Sequence, residues 1–411
     1  MNHHQVSSID EQPASVTASA GKPDFGAVRN DFPRARTAAY FDNASSHPLS
    51  VHSAAALHRY VDWVAHEVGE PWWPPWAAPR DQSKRLFAKL INAQPEDIAF
   101  ARSAVEAESN IINGMQEHLA GGNIVTHDLH YAASLYNYKM REKASVRSCV
   151  GDDDSLRIVK HRDWQIDHHD MERAIDHNTK LVSITLVSNV NGYLSDVKAI
   201  SDLAHAHGAY LYVDIIQGVG AVPVDVEAMG IDFAACSTFK WLMGVKGFGF
   251  LYVRSDLQGT VVKPTQHCGG ISFNYPPWVG ESDPNITEYV FTPTPGPTCY
   301  EVSYPSYEGA ICAQESLKYI LRLGVHNIRN HVRTLTDRLM EELPPLGYPA
   351  ITPKGNESPI VAFAAPDPAE TMAKLRNAGV HVAMRHGNKM RISPSVYNNQ
   401  EDVSRLLEAL A

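Results

Sequence analysis

Between residues 180 and 253 the chain runs four times through short, nearly unbroken apolar stretches. These are KLVSITLVSN (180–189), AYLYVD (209–214), DFAACST (232–238) and GFGFLYV (247–253). A strand that is apolar on both faces must be covered on both faces, so it belongs inside a parallel or mixed sheet packed between helices. The segments between and before them supply helices: 82–92, 105–118 and 197–207 carry apolar residues at helical spacing. Shorter strands are expected at 98–100 and 123–128. The fold class is therefore α/β. In such sheets ligands gather outside the carboxyl ends of the strands, which here means Asn189, Asp214 and the segment ending in Lys240.

A chain of 411 residues is too long for one small core and divides into two or three domains. Residues 1–22 are polar and rich in Ser, Ala and Pro, as expected of a flexible arm. They contain no apolar stretch of the kind a secretory signal needs. A large domain is expected over 38–295, and a Pro- and Gly-rich stretch at 276–305 leads out of it. A small α+β domain is expected over 296–411, with helices at 309–323, 325–343 and 401–410, and 23–37 packing on it. No apolar run is long enough to span a membrane. The formal net charge of −10 argues against a nucleic-acid partner, whose phosphates need Lys and Arg. The five cysteines, Cys149, Cys236, Cys268, Cys299 and Cys312, are scattered without a CxxC pair. They suit reduced thiols in a cytoplasmic protein better than disulfides or zinc.

Residues at these strand ends carry chemistry. Lys240 lies between Phe239 and Trp241, and desolvation there would lower its pKa and favour a free amine. Asp214 ends an apolar strand, where it could face a cationic nitrogen or simply cap a turn. Ser237 and Thr238 could donate to a phosphate or cap their own turn. Ser103, Ala104 and Val105 open a helix, whose first amides suit an anion. Gln217 and the Asn189 amide are further donors. A lysine for an imine, an acid, phosphate donors and a flat cover are what pyridoxal 5′-phosphate (PLP) requires of a protein. Each residue alone is unremarkable; the set is what points to PLP.

The run VDIIQGVGAVPVDVEAMGIDFAACSTFKWLMGVKGFGFLYVR resembles the core of class V, fold-type I PLP-dependent aminotransferases. That group includes cysteine desulfurases, kynureninase and isopenicillin N epimerase-like enzymes. Further pieces match in order: YFDNASSHPLS resembles a DNAAT-type motif, FARSAVEAESN an SGATEA-type phosphate loop, and KLVSITLVSNVNG a strand ending in Asn. YEVSYPSYEGA resembles an FE-x-GTP-type segment and MRISPSVYNNQEDVSRLLEAL the closing RxSxxxYNT-type segment. The resemblance spans roughly 38–411. It implies a mostly parallel seven-stranded sheet with a smaller α+β domain, and a homodimer. It makes Lys240 the Schiff-base lysine, Asp214 the pyridine partner, and Tyr131 the ring over the cofactor. Gln217 and Asn189 become oxygen donors, Ser237 a phosphate ligand beside the Ala104 and Val105 amides, and Tyr304, in place of the family's Thr, a hydroxyl reaching the neighbouring subunit's phosphate. Arg391 would hold the substrate α-carboxylate, and Arg385 is either a second carboxylate group or a surface arginine. Asn43, in the DNAAT-type motif, and Trp73 join the substrate set.

The departures narrow the chemistry. Phe239 precedes the lysine where desulfurases often have His, and Val105 replaces the usual Thr of the phosphate loop. No cysteine lies between Val380 and Ala411, where a desulfurase carries its persulfide thiol, so that activity is not expected. EPWWPPWAAPR (70–80) is a rigid aromatic stretch, either a wall for a substrate tail or a contact surface. His127, His130, His168 and His169 lack further ligands at metal spacing, and no metal is expected. The substrate is expected to be a small molecule of amino-acid type. β-Elimination of a cysteine conjugate (C–S lysis) comes first, then class V transamination or oxidative deamination, then epimerisation. An idle PLP-fold scaffold is the non-enzymatic alternative.

Overall fold

A computed structural model describes residues 23–66, 77–147, 155–265, 296–302 and 305–411. A short helix α1 (Phe25–Val28) and strand β1 (Ala39–Tyr40) precede the helices α2 (Val51–His66) and α3 (Ala77–Leu90). An alternating series follows: β2 (Ile98–Ala101), α4 (Ala104–Gly114), β3 (Asn123–His127), α5 (Ala132–Arg147), β4 (Leu156–Val159), α6 (His168–Ala174), β5 (Thr179–Thr185), α7 (Val197–Ala206), β6 (Tyr210–Asp214), β7 (Phe233–Ser237) and β8 (Gly249–Val253). Beyond it lie α8 (Tyr307–Leu323), α9 (Val325–Glu342), β9 (Val361–Ala364), α10 (Pro368–Asn377), β10 (Val380–His381), β11 (Ala383–Arg385), β12 (Lys389–Ile392) and α11 (Gln400–Leu410).

The seven strands β2 to β8 form one sheet in the order β2-β8-β7-β6-β5-β3-β4. Neighbours from β7 to β4 are parallel, whereas β8 runs antiparallel to both β7 and β2. The sheet is thus mixed and mostly parallel, the α/β architecture expected from the apolar runs. Side chains alternate between its faces. Val182, Ile184, Leu211, Val213, Ala234 and Cys236 belong to one apolar core with Val197, Ile200 and Ala204 of α7. Leu181, Tyr212, Phe233 and Ala235 belong to another with Ala104, Ala107 and Ile111 of α4. Fully burying one such Val or Ile contributes about 1.5–3 kcal/mol. By the period of two, Ser183, Thr185, Asp214 and Ser237 stand on the α4 face, and the last three lie at the carboxyl ends of their strands.

Two elements stop earlier than the sequence suggests. The strand expected to reach Asn189 ends at Thr185, because Leu186 N–H turns to Asp214 O and Thr185 Oγ1 donates to Val187 O. The helix expected to reach 118 ends at Gly114, which lies against Val262 and Lys263 too closely for a Cβ. Strand β4 was not anticipated; it is four residues long, with Arg157 and Ile158 only partly buried, so it carries no apolar run.

A three-stranded antiparallel sheet, β11-β12-β9, is covered by α9, α10 and α11. β1 pairs in parallel with β10, and Phe41 shares the apolar core of this region. Asp42 bridges to Ser393, so the stretch after β1 runs along the end of β12. Arg29 is held by Asp402 at 2.7 Å and by Tyr397 O. Most of the Pro-rich 276–305 stretch lies outside the described residues, as do Trp73 and the aromatic run of 70–76, Tyr304, Cys149 and Cys268. Among the described residues no helix is long and apolar enough to cross a membrane.

Candidate active site

The strand-end residues line one cavity of about 120 Å³. Ser103, Ala104 and Val105 meet Tyr131, Thr185, Asn189, Asp214, Ile216, Gln217, Ser237, Phe239 and Lys240 there. Parallel β5, β6 and β7 bring Thr185, Asp214 and Ser237 into this cavity from their carboxyl ends. The turn after β7 returns with Lys240, and the N-terminus of α4 closes one side.

Asp214 is 3% exposed. Burial pushes its carboxyl up to about 6, while the Ile216 N–H, donating to Oδ1 at 3.0 Å, and nearby Lys240 pull the other way. Among the described residues nothing donates to Oδ2. Burial lowers the Lys240 ammonium to about 8; Asp214 opposes this, and Arg391 and Arg385 add to it. The Lys240 Nζ lies 6.0 Å from the centre of the Tyr131 ring and 5.7 Å from that of Phe239. A lysine poised near neutrality beside a buried acid has the character expected of an imine-forming amine.

The opposite end of the cavity offers donors. Ser103 caps α4, its hydroxyl accepting from Glu106 N–H. Ala104 N–H donates to Ser237 Oγ at 3.0 Å, which leaves the Ser237 proton available to an anion. Val105 N–H has no acceptor among the described residues. Thr238 takes no part: its hydroxyl donates to Val245 O and Phe248 O and clamps the turn before Lys240. Gln217 lines the cavity with its amide engaged at both ends, Oε1 accepting from Trp241 Nε1 and Nε2 donating to Ala44 O.

Arg391 is 3% exposed. It reaches Asn189 O at 2.8 Å, Ser45 Oγ at 2.6 Å and Asp42 at 3.2 Å, and its buried Nε has no partner among the described residues. Arg385 is exposed and donates to the same Ser45 hydroxyl at 2.7 Å. Asn43 is not brought to the cavity. It is fully buried, donating to Ser393 O and accepting from Tyr397 OH, so it joins the N-terminal segment to the C-terminal one instead of meeting substrate.

Sequence reasoning passed over Asp42 and Ser45, although both lie in the same short motif as Asn43. It also passed over Thr185, which the period of two in β5 places beside Asp214. A larger groove of about 330 Å³ runs along edge strand β4 between Arg157 and Asp170. Its cations are already met by Asp128, Asp170 and Asp176. Among the described residues no three His, Cys, Asp or Glu side chains gather at metal distance. His127 and His130 stand with ring centres 5.9 Å apart, both buried.

The cavity thus offers an unpaired carboxylate oxygen, free hydroxyl and amide donors, an amine and an aromatic ring. That donor set fits a flat heterocycle bearing a cationic nitrogen and a phosphate.

Residues 75–406 match the family model described as aminotransferase class V. A probable cysteine desulfurase of Methanothermobacter thermautotrophicus is 28% identical over 406 residues, covering 93% of this chain and 96% of that protein. The solved apo cysteine desulfurase of Thermococcus onnurineus superposes with a TM-score of 0.80 at 24% identity, covering 95% and 98% of the two chains. The cystine C–S lyase C-DES, solved with its product cysteine persulfide, has a TM-score of 0.79 at 17% identity, covering 92% and 98%. A mutant of C-DES has been solved with glycine covalently linked to its PLP cofactor.

Proposed function

The chain belongs to the class V aminotransferase family of PLP-dependent enzymes, and from that premise we propose that it uses PLP, held on Lys240, to cleave the C–S bond of cysteine conjugates. The observation that carries the choice of reaction is the β11–β12 hairpin. Arg385 pairs with Lys389, so only His386, Gly387 and Asn388 separate the strands that carry the two arginines. His386 and Gly387 both take positive φ, as a tight hairpin turn demands. This stretch holds no cysteine and is too short to carry a mobile thiol into the cavity. A reaction in which sulphur leaves on the substrate's own fragment needs no such thiol. The fold likeness to a C–S lyase points the same way.

The geometry supports a role for each residue. Asp214 Oδ2 would accept from the ring nitrogen of PLP, and the Val105 N–H and Ser237 hydroxyl would hold its phosphate. Tyr131 would cover the ring, and Gln217 and Asn189 would stand at its edge. Bound there, PLP supplies a cationic conjugated system that accepts the electron pair left when Cα loses its proton. Arg391 would hold the substrate carboxylate, with Arg385 beside it at the mouth. Freed when the substrate's own amine takes its place, the Lys240 amine would take the Cα proton. The Cβ–S bond breaks with its electron pair going to sulphur, which leaves as a thiol once protonated. The remaining three-carbon fragment tautomerises and adds water to give pyruvate and ammonia.

A panel of S-substituted cysteines tests the proposal. Equimolar pyruvate, ammonia and released thiol is the expected result. A 2-oxo acid that keeps the sulphur would mark transamination, and no turnover of any conjugate would sink the lyase reading.

A further inference from the structure

Glu108 is a buried acid that the proposed chemistry leaves unused. It lies on α4, is 1% exposed, and shares the packed stripe of Ala104, Ala107, Ile111 and Ile112. A charged side chain in such a stripe is costly unless every oxygen is met. Ser134 Oγ donates to Oε2 at 2.5 Å, and the Tyr138 hydroxyl donates to Oε1. Tyr138 OH and Ser183 Oγ are 2.5 Å apart, and Ser183 Oγ is 3.3 Å from His130 Nε2. At the far end Tyr131 N–H donates to His130 Nδ1 at 2.6 Å.

This chain of hydrogen bonds has a fixed direction. A backbone N–H can only donate, so Nδ1 of His130 is the bare nitrogen. Burial, with His127 beside it, holds His130 well below the usual histidine range and therefore neutral. A neutral imidazole with bare Nδ1 carries its proton on Nε2. Nε2–H then donates to Ser183, Ser183 to Tyr138 with a longer contact of 3.5 Å to Glu108 Oε1, and Tyr138 to Glu108. The acid is the terminal acceptor. An apolar residue at its place would leave Tyr138 and Ser134 unpaired in the core.

We propose that Glu108 is a positioning residue: through Tyr138, Ser183 and His130 it fixes the backbone of Tyr131, and with it the aromatic ring that faces Lys240. The same acid sits one turn into the helix whose first amides line the donor end of the cavity, so it couples that end to the ring cover. The inference rests on the PLP reading, and the test separates the two.

Four proteins decide it: wild type, Tyr138→Phe, Ser134→Ala and Glu108→Gln. Tyr138→Phe and Ser134→Ala each delete one hydroxyl bonded to Glu108, but only Tyr138 lies on the path to Tyr131. Two readouts are used, PLP dissociation by absorbance titration and hydrogen exchange of the Tyr131 segment in cofactor-free protein. Tyr138→Phe is expected to weaken PLP binding about fivefold, the worth of roughly one hydrogen bond, and to speed exchange at Tyr131. Ser134→Ala should leave both readouts within about twofold of wild type, at a similar loss of thermal stability. Glu108→Gln keeps an acceptor oxygen for Tyr138 and should resemble wild type in both. Equal effects of Tyr138→Phe and Ser134→Ala, or no effect of either, would overturn the proposal. If Tyr138→Phe does not fold, Ser183→Ala cuts the same path at the next link. Wild-type protein that takes up no PLP would defeat the cofactor reading, and the exchange contrast would still judge the relay.

Discussion

Arg391 donates to Ser45 Oγ at 2.6 Å, and the same oxygen accepts from Arg385 at 2.7 Å. Two guanidinium groups from neighbouring antiparallel strands thus meet on one hydroxyl supplied by the N-terminal segment. Arg391 has a carboxylate neighbour in Asp42, whereas no carboxylate lies within ion-pair distance of Arg385 among the described residues. Arg391→Lys keeps the charge and loses the fork. It should raise the dissociation constant for amino-acid substrates by about 10- to 100-fold, the range for a hydrogen bond between charged groups. Arg385→Gln, at an exposed site, should cost less than about tenfold. Spectral titration of the PLP-loaded protein with amino acids measures both.

Lys240→Ala should abolish covalent attachment of PLP while leaving the fold intact, since the side chain is only partly buried. The visible absorbance band of the wild-type protein should be absent in the variant. After borohydride reduction and denaturation, PLP should stay on the wild-type chain and come away from the variant. A band that persists in Lys240→Ala would move the attachment point elsewhere.

The pH dependence of PLP uptake follows from two groups. Lys240 must be a free amine, and its proton leaves as pH rises through about 8. Asp214 must be a carboxylate, and it gains a proton as pH falls through about 6. The rate of covalent uptake by cofactor-free protein should therefore climb with pH and level off above about 8. Affinity for PLP should fall below about 6. Asp214→Asn should remove the acid limb and, by taking away the charge that helps Lys240 keep its proton, move the alkaline limb to lower pH, as read from uptake profiles of the two proteins.

His127 is fully buried, and neither ring nitrogen has a partner among the described residues. Burial lowers it from 6.5 to about 4. Between those values the unfolded chain binds a proton that the folded one refuses, so stability rises with pH across the window and is lost as pH falls through it. His127→Leu removes both the unpaired polar atoms and this proton. It should raise the melting temperature and flatten its decline between about pH 6.5 and 4, provided Leu fits the space. An unchanged pH profile in thermal melts would contradict the assignment.

Gly192 has φ +79°, and a Cβ there would lie 2.0 Å from Ile360 O. The turn that follows Asn189 is pressed against the chain entering β9. Gly192→Ala combines a left-handed conformation with a backbone clash and should cost about 3 kcal/mol or more. Chemical denaturation of the variant gives the value directly.

Much of this architecture is legible because burial on both faces leaves a strong trace. AYLYVD and DFAACST can hardly be anything but inner strands, and their carboxyl ends fall at Asp214 and just before Lys240. β4 left no such trace, since an edge strand half open to solvent alternates weakly. Asn43 was misplaced for a different reason. A short motif shows which residues are neighbours, not which of Asp42, Asn43 and Ser45 turns inward to Ser393 and which turns to the arginines. Glu108 was visible as an acid among Ala104, Ala107, Ile111 and Ile112, but its partners come from α5, β5 and the turn after β3. Only the folded chain brings them together.

β1 and β10 pair although some 340 residues separate them, and Asp42 and Ser45 reach Arg391 through that junction. A ribosome delivers Ala39 long before Val380. The central sheet can form on the emerging chain, since each of its parallel pairs is closed by a nearby crossover. The junction of Asp42 and Ser45 with Arg391 cannot, because its two halves lie far apart in the chain. A chain translated only through β8 thus holds Lys240 and Asp214 and lacks Arg391.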